Sequence, residues 1–235
     1  MEVGVRIVEF ATLDDTQLAQ AARVLREALP SPTAYKAPGE AEAEVARVRD
    51  HADRFGYAAL IGGELAGWIG AVRGYSHSLE LHPLVVDDPR RRRGLGKALV
   101  ATMEQGARAD GYLALHLGAD DDFGGTSLFG ADLFPDVLDK ARRITASDGH
   151  PLEFYRRCGF EVVGLIPHAN GHGKPDILMS KSITSSDDDH ASLPSGRGPA
   201  YSPQSLGDKK WERKRERRTG VSGSSRMGGA GADQG

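Results

Sequence analysis

LELHPLVVDDPRRRRGLGKAL, residues 79–99, decides how this chain is read. Apolar and polar residues alternate over much of Leu79 to Val86, as on a strand, and Leu95, Leu99 and Val100 open an apolar stripe at helical spacing. Between them lies a charged turn. A helix that starts directly after such a turn has N–H groups without intrahelical acceptors, and Gly94 and Gly96 let a ligand approach them closely. The arrangement favours an anion, to which Arg91, Arg92 and Arg93 add fork-shaped donors. A Gly-x-Gly behind arginines also describes a solvated loop; the flanking strand and helix point to a phosphate cradle instead.

The strand carries a second signal. Glu80 and His82 are two residues apart and share a face, and Pro83 follows at once. Proline cannot donate to a ladder, so it marks a bulge or a place where the neighbouring strand has separated. Such a gap frees N–H groups of Leu84, Val85 and Val86 for a thioester carbonyl and a pantetheine arm. The alternative is a pair of polar side chains on a solvated strand face.

Upstream, Val3, Val5 and Ile7 read as a first strand. Thr12 to Asp15 resembles a capped helix start, and Leu18, Ala21, Ala22, Leu25 and Leu29 continue at helical spacing until Pro30 and Pro32. A loop over 31–39 leads to a second amphipathic helix over 40–54. Tyr57 to Ile61, Gly62-Gly63 and Leu65 to Val72 predict a hairpin that feeds the central strand.

Downstream, a helix over roughly 95–109 precedes a strand over 113–118 that ends in Asp120, Asp121 and Asp122. Three adjacent carboxylates repel one another and are tolerated in water or opposite a cation, so this is either a solvated acidic turn or a substrate-binding edge. His116, alternating with apolar neighbours, reads as structural. Residues 124–144 exceed a simple connection and hold enough apolar side chains to pack as a lid or an interface. Pro151 starts a short helix, and 162–166 with 177–182 form a last antiparallel pair joined by a loop containing Asn170-Gly171.

Composition bounds the rest. The 235 residues are 39% apolar, enough for one ordinary core. Of 30 Lys/Arg and 33 Asp/Glu, nine and seven fall in 184–235, so the body is acidic and suits a cationic partner. The single cysteine, Cys158, cannot form an intramolecular disulfide or a thiolate cluster. No leader pattern or long apolar run occurs, so the reading is cytoplasmic, with no membrane span. The acidic turn lacks the glycine and distal glutamate of an EF-hand loop, and no metal is expected. From 184 to 235 the chain is Ser, Gly and charge-rich, which predicts a disordered tail. Its run KKWERKRERR, 209–218, is interrupted by Glu212 and Glu216, which weakens a nucleic-acid reading.

Several motifs resemble one family. Val86-(x4)-Arg91-x-x-Gly94-x-Gly96 is similar to the acetyl-CoA pyrophosphate loop of the GCN5-related N-acetyltransferases (GNAT), and Glu153 to Phe160 is similar to that family's C-terminal FYxxxGF helix. ELHPLVV at 80–86, LGADD at 117–121, HPxEFY at 150–155 and ANGxxKPDI at 169–177 resemble the aminoglycoside 6'-N-acetyltransferase branch. The likeness covers about residues 5–183, with the motifs in order. It implies a GNAT domain over 1–183: an α/β fold with a mixed, mostly antiparallel sheet flanked by helices and a splayed strand pair that binds acetyl-CoA. It implies a cofactor cradle at Leu84, Val85, Val86, Arg91, Arg92, Arg93, Gly94, Leu95, Gly96 and Lys97, with Glu80 as base, His82 orienting or relaying, and Tyr155 protonating the thiolate. Glu80, Asp120, Asp121 and Asp122 would receive a cationic aminoglycoside, and a homodimer is implied. Leu29 departs from the branch, which often carries an aromatic residue before this proline; Tyr35 lies nearby but at another position. Two alternatives stay open on the sequence: an acetyltransferase of the same fold for another amine, such as a polyamine or a protein N-terminus, and a non-catalytic acyl-CoA-binding or nucleic-acid-binding protein.

Overall fold

The computed structural model describes residues 4–184, Pro30 and Asp148 excepted. The expected tail, with its basic run at 209–218, lies outside the described residues.

Among these residues seven strands build one sheet: β1 (Val5–Glu9), β2 (Arg54–Ile61), β3 (Glu64–Val72), β4 (Ser78–Val86), β5 (Ala114–Asp120), β6 (Glu161–Ile166) and β7 (Asp176–Ser182). Their order is β1-β2-β3-β4-β5-β7-β6. Neighbours are antiparallel except β4 and β5, which run parallel, so the mixed, mostly antiparallel sheet is as expected. Two cores flank it. Helices α1 (Asp15–Ala28) and α2 (Glu40–Asp50) bury Leu18, Leu25, Val45 and Val48 with Trp68 on one face. Helix α3 (Leu95–Ala109) buries Leu95, Leu99, Val100 and Met103 on the other, where α5 (Leu152–Arg157) adds Leu152. The remaining helix, α4 (Val137–Arg142), lies in the long segment before α5.

Local chemistry sets the boundaries. Asp14 caps α1: its carboxylate accepts from the Gln17 N–H at 2.8 Å while the Gln17 side chain accepts from the Asp14 N–H. Such a cap stabilises by about 1 kcal/mol. Gly62 and Gly63 both take positive φ, as a two-residue hairpin turn matching strand twist requires. The helix expected over 40–54 is shorter. It ends at Asp50, and Arg54 opens β2 opposite Val72, because its guanidinium turns inward to a buried carboxylate on α2.

The central strand carries the irregularity expected at its proline. Ile69 pairs with Leu84 and Ala71 with Leu81, so His82 and Pro83 together face the single residue Gly70. This bulge reverses the alternation of faces. Leu79 and Leu81 before it, and Leu84 and Val86 after it, point to the α3 core, whereas Val85 joins the α1/α2 core. Gly70 is required there, since a Cβ would lie 2.5 Å from the His82 carbonyl oxygen.

Beyond the bulge the sheet opens. β4 and β5 pair only at Ser78 with Ala114, Leu79 with Leu115 and Glu80 with His116, whereas β5 pairs with β7 along all seven residues. From Leu81 onward β4 therefore has no strand on its β5 side. Gly70→Ala must push β3 off the bulge, at a cost of about 1–3 kcal/mol. Thermal unfolding should show its Tm lowered by several degrees; an unchanged Tm would mean that the close approach does not exist.

Candidate active site

Glu80 stands at the apex of the opening. It is the last β4 residue paired to β5, and its half-buried carboxylate has no hydrogen-bond or ion-pair partner among the described residues. A carboxylate so placed is available to a proton or a cation. Its cross-strand neighbour His116 instead hydrogen-bonds Ser78 at 2.8 Å and lies edge-on to Tyr75, as a structural histidine would.

His82 lies on the α1/α2 side, and its surroundings are more elaborate than the sequence suggested. Its Nε2 shares a 2.7 Å hydrogen bond with the Tyr35 hydroxyl from the α1–α2 loop, and Oε1 of Glu44 on α2 lies 3.9 Å away. Glu44 is 1% exposed and is held by Arg54 at 2.6 Å and Arg47 at 3.3 Å. Burial alone would favour its neutral acid, but His82, Arg54 and Arg47 outweigh that and hold the carboxyl below its ordinary value. Glu44 could have been noticed in the sequence: with Ala41, Val45 and Val48 it completes the buried stripe of α2, where an acid needs a partner. That the partner comes from β2 was not readable.

The three carboxylates at the end of β5 separate by role. Asp121 is fully buried and accepts from the N–H groups of Gly124, Gly125 and Thr126 and from the Thr126 hydroxyl, so it folds the following loop rather than facing a ligand. Asp122 accepts from Ser31 at 2.6 Å, tying this edge to the α1–α2 loop. Asp120 is exposed, receives Asn170 Nδ2, and stands directly across from Asp176 on β7. Like charges opposed on adjacent strands destabilise a sheet. Asp176 also lies against Gly118, where a Cβ would meet its carboxylate at 2.6 Å.

The turn before α3 divides in the same way. Arg91 is committed to the protein: it donates to the carbonyls of Val86 and Ala28 and pairs with Asp88 at 2.7 Å, so it anchors the turn to β4 and α1. Arg90 pairs with Glu64. Arg92, Arg93 and Lys97 are exposed and have no ion pair among the described residues. Arg92 and Gly94 both adopt positive φ, and Gly94 caps α3. Left-handed residues next to a helix start turn successive N–H groups into one concavity, a nest for an anion.

On the α3 side, α5 packs against the core and the start of α3. Phe154 lies over Gly96, where a Cβ would touch its ring at 3.2 Å. Tyr155 packs edge-on to Phe154 and Phe160, and burial pushes its phenol well above the usual range. Cys158 is buried and its thiol is likewise pushed up by burial, so it stays protonated and unreactive.

The strand that opens thus presents a carboxylate and an imidazole on its α1/α2 face, and an anion nest follows it at the start of α3. The acetyltransferase (GNAT) family model matches residues 21–127. Among solved structures, an aminoglycoside 6'-N-acetyltransferase complexed with coenzyme A is 38% identical, covering 77% of this chain and 98% of that one, with a TM-score of 0.70. The aminoglycoside 6'-N-acetyltransferase from Enterococcus faecium is 35% identical over the same shares, with a TM-score of 0.68. An aminoglycoside 6'-acetyltransferase type Ii is 32% identical, again over 77% and 98%, with a TM-score of 0.59. No curated protein sequence matches.

Folding lowers the pKa of Glu44 from an ordinary value of 4.5, so its ionised form stabilises the native state above that pH, and the contribution is lost as pH falls below it. Urea unfolding followed from pH 6 to pH 3 should therefore show an acid-induced fall in stability that Glu44→Gln flattens. A fall of the same depth in the variant would remove Glu44 as its source.

Proposed function

The chain belongs to the GNAT family of acetyltransferases, and from that membership we propose that it transfers an acetyl group from acetyl-CoA to the 6'-amino group of an aminoglycoside. The observation that carries this reading is the unpaired carboxylate of Glu80 at the residue where β4 and β5 part. At neutral pH the acceptor amine is mostly ammonium and cannot attack until it loses a proton. Glu80 takes that proton, directly or through one water, with His82 beside it to orient or relay. The nitrogen bonds to the thioester carbon as the carbonyl π electrons move to oxygen, and the tetrahedral adduct then expels the thiolate. N–H groups of β4 near Leu84, with Val85 and Val86 along the pantetheine arm, stabilise the oxygen as charge develops on it. The departing thiolate receives its proton from Tyr155.

The cofactor phosphates sit at the mouth, on the N–H groups of Gly94, Leu95, Gly96 and Lys97. Arg92, Arg93 and Lys97 supply charge there, and Arg91 holds the turn in place. The acidic side of the opening suits a polycationic sugar. Glu80 on β4, Asp120 at the end of β5 with Asp176 opposite it, and Asp122 just beyond supply negative charge there for ammonium groups. Asp121 contributes by shaping the loop.

We place the enzyme in the cytoplasm, where acetyl-CoA is made; no helix among the described residues is long and apolar enough to cross a membrane. We assign the activity to residues 1–183. A homodimer is supported by the exposed Phe134, Leu138, Val163 and Ile166 on and near α4 and edge strand β6. Sedimentation should give twice the chain mass, and Val163→Asp should halve it; a wild-type monomer would end this part.

An acetyl-transfer assay with a kanamycin-like aminoglycoside and its analogue bearing a hydroxyl at the 6' position should show turnover with the first alone. Glu80→Gln should lower kcat by about 10²–10⁴ with acetyl-CoA affinity unchanged. Arg93→Ala should weaken acetyl-CoA binding in a calorimetric titration. Acetyl-CoA binding without modification of any aminoglycoside would overturn the acceptor, and undiminished turnover of Glu80→Gln would overturn the base.

A further inference from the structure

The role given to His82 raises a question that its own strand does not answer: what fixes the ring, and what meets the charge when it holds a proton. Two side chains from outside β4 converge on a single atom, Nε2. The Tyr35 hydroxyl lies 2.7 Å from it and Glu44 Oε1 lies 3.9 Å from it. Tyr35 is buried, at 8% exposure, and sits at φ +60°, a left-handed conformation that a tyrosine adopts at a cost and that the surrounding loop must enforce. Glu44 is buried at 1%, in a region where an acid costs stability unless it is paired.

The ion pair of Glu44 with Arg54 does not by itself explain the arrangement. A buried pair is often no more stabilising than apolar residues of the same volume. Here the carboxylate has two faces. Oε2 meets Arg47, while Oε1 is shared between Arg54 and the edge of the imidazole. The charged or titratable groups around His82 include Glu44 and Arg47 from α2, Arg54 from β2, Tyr35 from the α1–α2 loop, and Glu80 two residues earlier on the same face of β4.

We propose that Tyr35 and Glu44 are positioning residues for His82. The phenol holds the ring at Nε2, and the buried carboxylate, itself fixed by Arg54 and Arg47, balances the imidazolium that forms when the ring takes a proton from the acceptor side. In the protonated ring Nε2–H donates to Tyr35 Oη, and the positive charge faces Glu44. The proton then passes to solvent and the ring returns to neutral. Neither residue touches the acceptor or the thioester; both act through His82. The proposal rests on the proposed role of His82 in proton transfer.

The test is a double-mutant cycle on the full chain, with kcat, KM for acetyl-CoA and the pH profile of kcat/KM as readouts. Tyr35→Phe should lower kcat by about tenfold with little change in KM for acetyl-CoA. Glu44→Gln should lower kcat similarly and shift the acid limb of the profile to lower pH, since a ring without the carboxylate beside it loses its proton more readily. In a His82→Asn background both substitutions should have almost no further effect. Effects that instead multiply undiminished onto slow His82→Asn overturn the proposal and leave the role of His82 standing. A His82→Asn enzyme with full kcat overturns both. Tyr35→Phe leaves the Glu44–Arg54 pair intact, so it decides the matter by itself if Glu44→Gln does not fold.

Discussion

A sheet gains stability by pairing strands, and here the two central ones stop pairing after three residues. Backbone groups on the inner edges of the gap lose their ladder partners, and each such group left buried without another costs free energy. The fold limits that cost with sequence rather than avoiding it. Pro83 brings no N–H to the edge, the bulge it shares with His82 re-aims the strand, and Gly70 lets β3 follow closely. What remains is a row of directional donors and acceptors on a rigid scaffold, matched to an extended ligand that carries amides of its own. The parting of β4 and β5 is thus at once the weakest place in the sheet and the reason it can bind.

The same compromise recurs among the charged groups. Of the side chains that are polar or charged and buried among the described residues, Glu44, Arg54, Asp121 and His150, two form the ion pair behind His82 and one folds the loop at the end of β5. A chain selected for stability alone would place apolar residues there. Glu44 and Asp121 are each satisfied by several donors, so they are rigid supports. Among the described residues Glu80, by contrast, has no hydrogen-bond or ion-pair partner, and Asp120 is exposed with Asn170 as its one side-chain partner. Arg91 and Arg92 repeat the division at the mouth: one guanidinium is consumed in fixing the turn, and its neighbour is left facing outward.

How much of this was legible follows from the range of the interactions. The strand, turn and helix of residues 79–99, the bulge at Pro83, the Gly62-Gly63 hairpin and the cap of α1 are set by neighbours within a few residues, and the sequence displays them. The separation of Asp121 from Asp120 and Asp122 was not visible, because three consecutive carboxylates look alike until the Gly124 to Thr126 loop closes on one of them. The pairing of Glu44 with Arg54 crosses from helix to strand. It also moved a boundary: Arg54 reads as the end of α2 by composition and begins β2 because its side chain is drawn inward. Asp176 comes to stand opposite Asp120 only through the register of β5 and β7. Local spacing set the frame, and long-range pairing decided which of the chemically similar residues are consumed inside the fold.

That frame also constrains the order of chemical events. In the proposed mechanism, proton removal is assigned to Glu80 and His82 and proton delivery to Tyr155. There the amine would add to the thioester carbon, and the tetrahedral adduct would collapse with loss of the thiolate. A covalent detour through the enzyme's own thiol would require Cys158 as thiolate, but burial holds that thiol protonated within the α3 core. The raised phenol of Tyr155 would be a reluctant donor to a solvated thiolate. A thiolate leaving into apolar surroundings would itself hold a proton more tightly, which favours the proposed transfer. A protonated Cys158 thus agrees with the direct transfer proposed here.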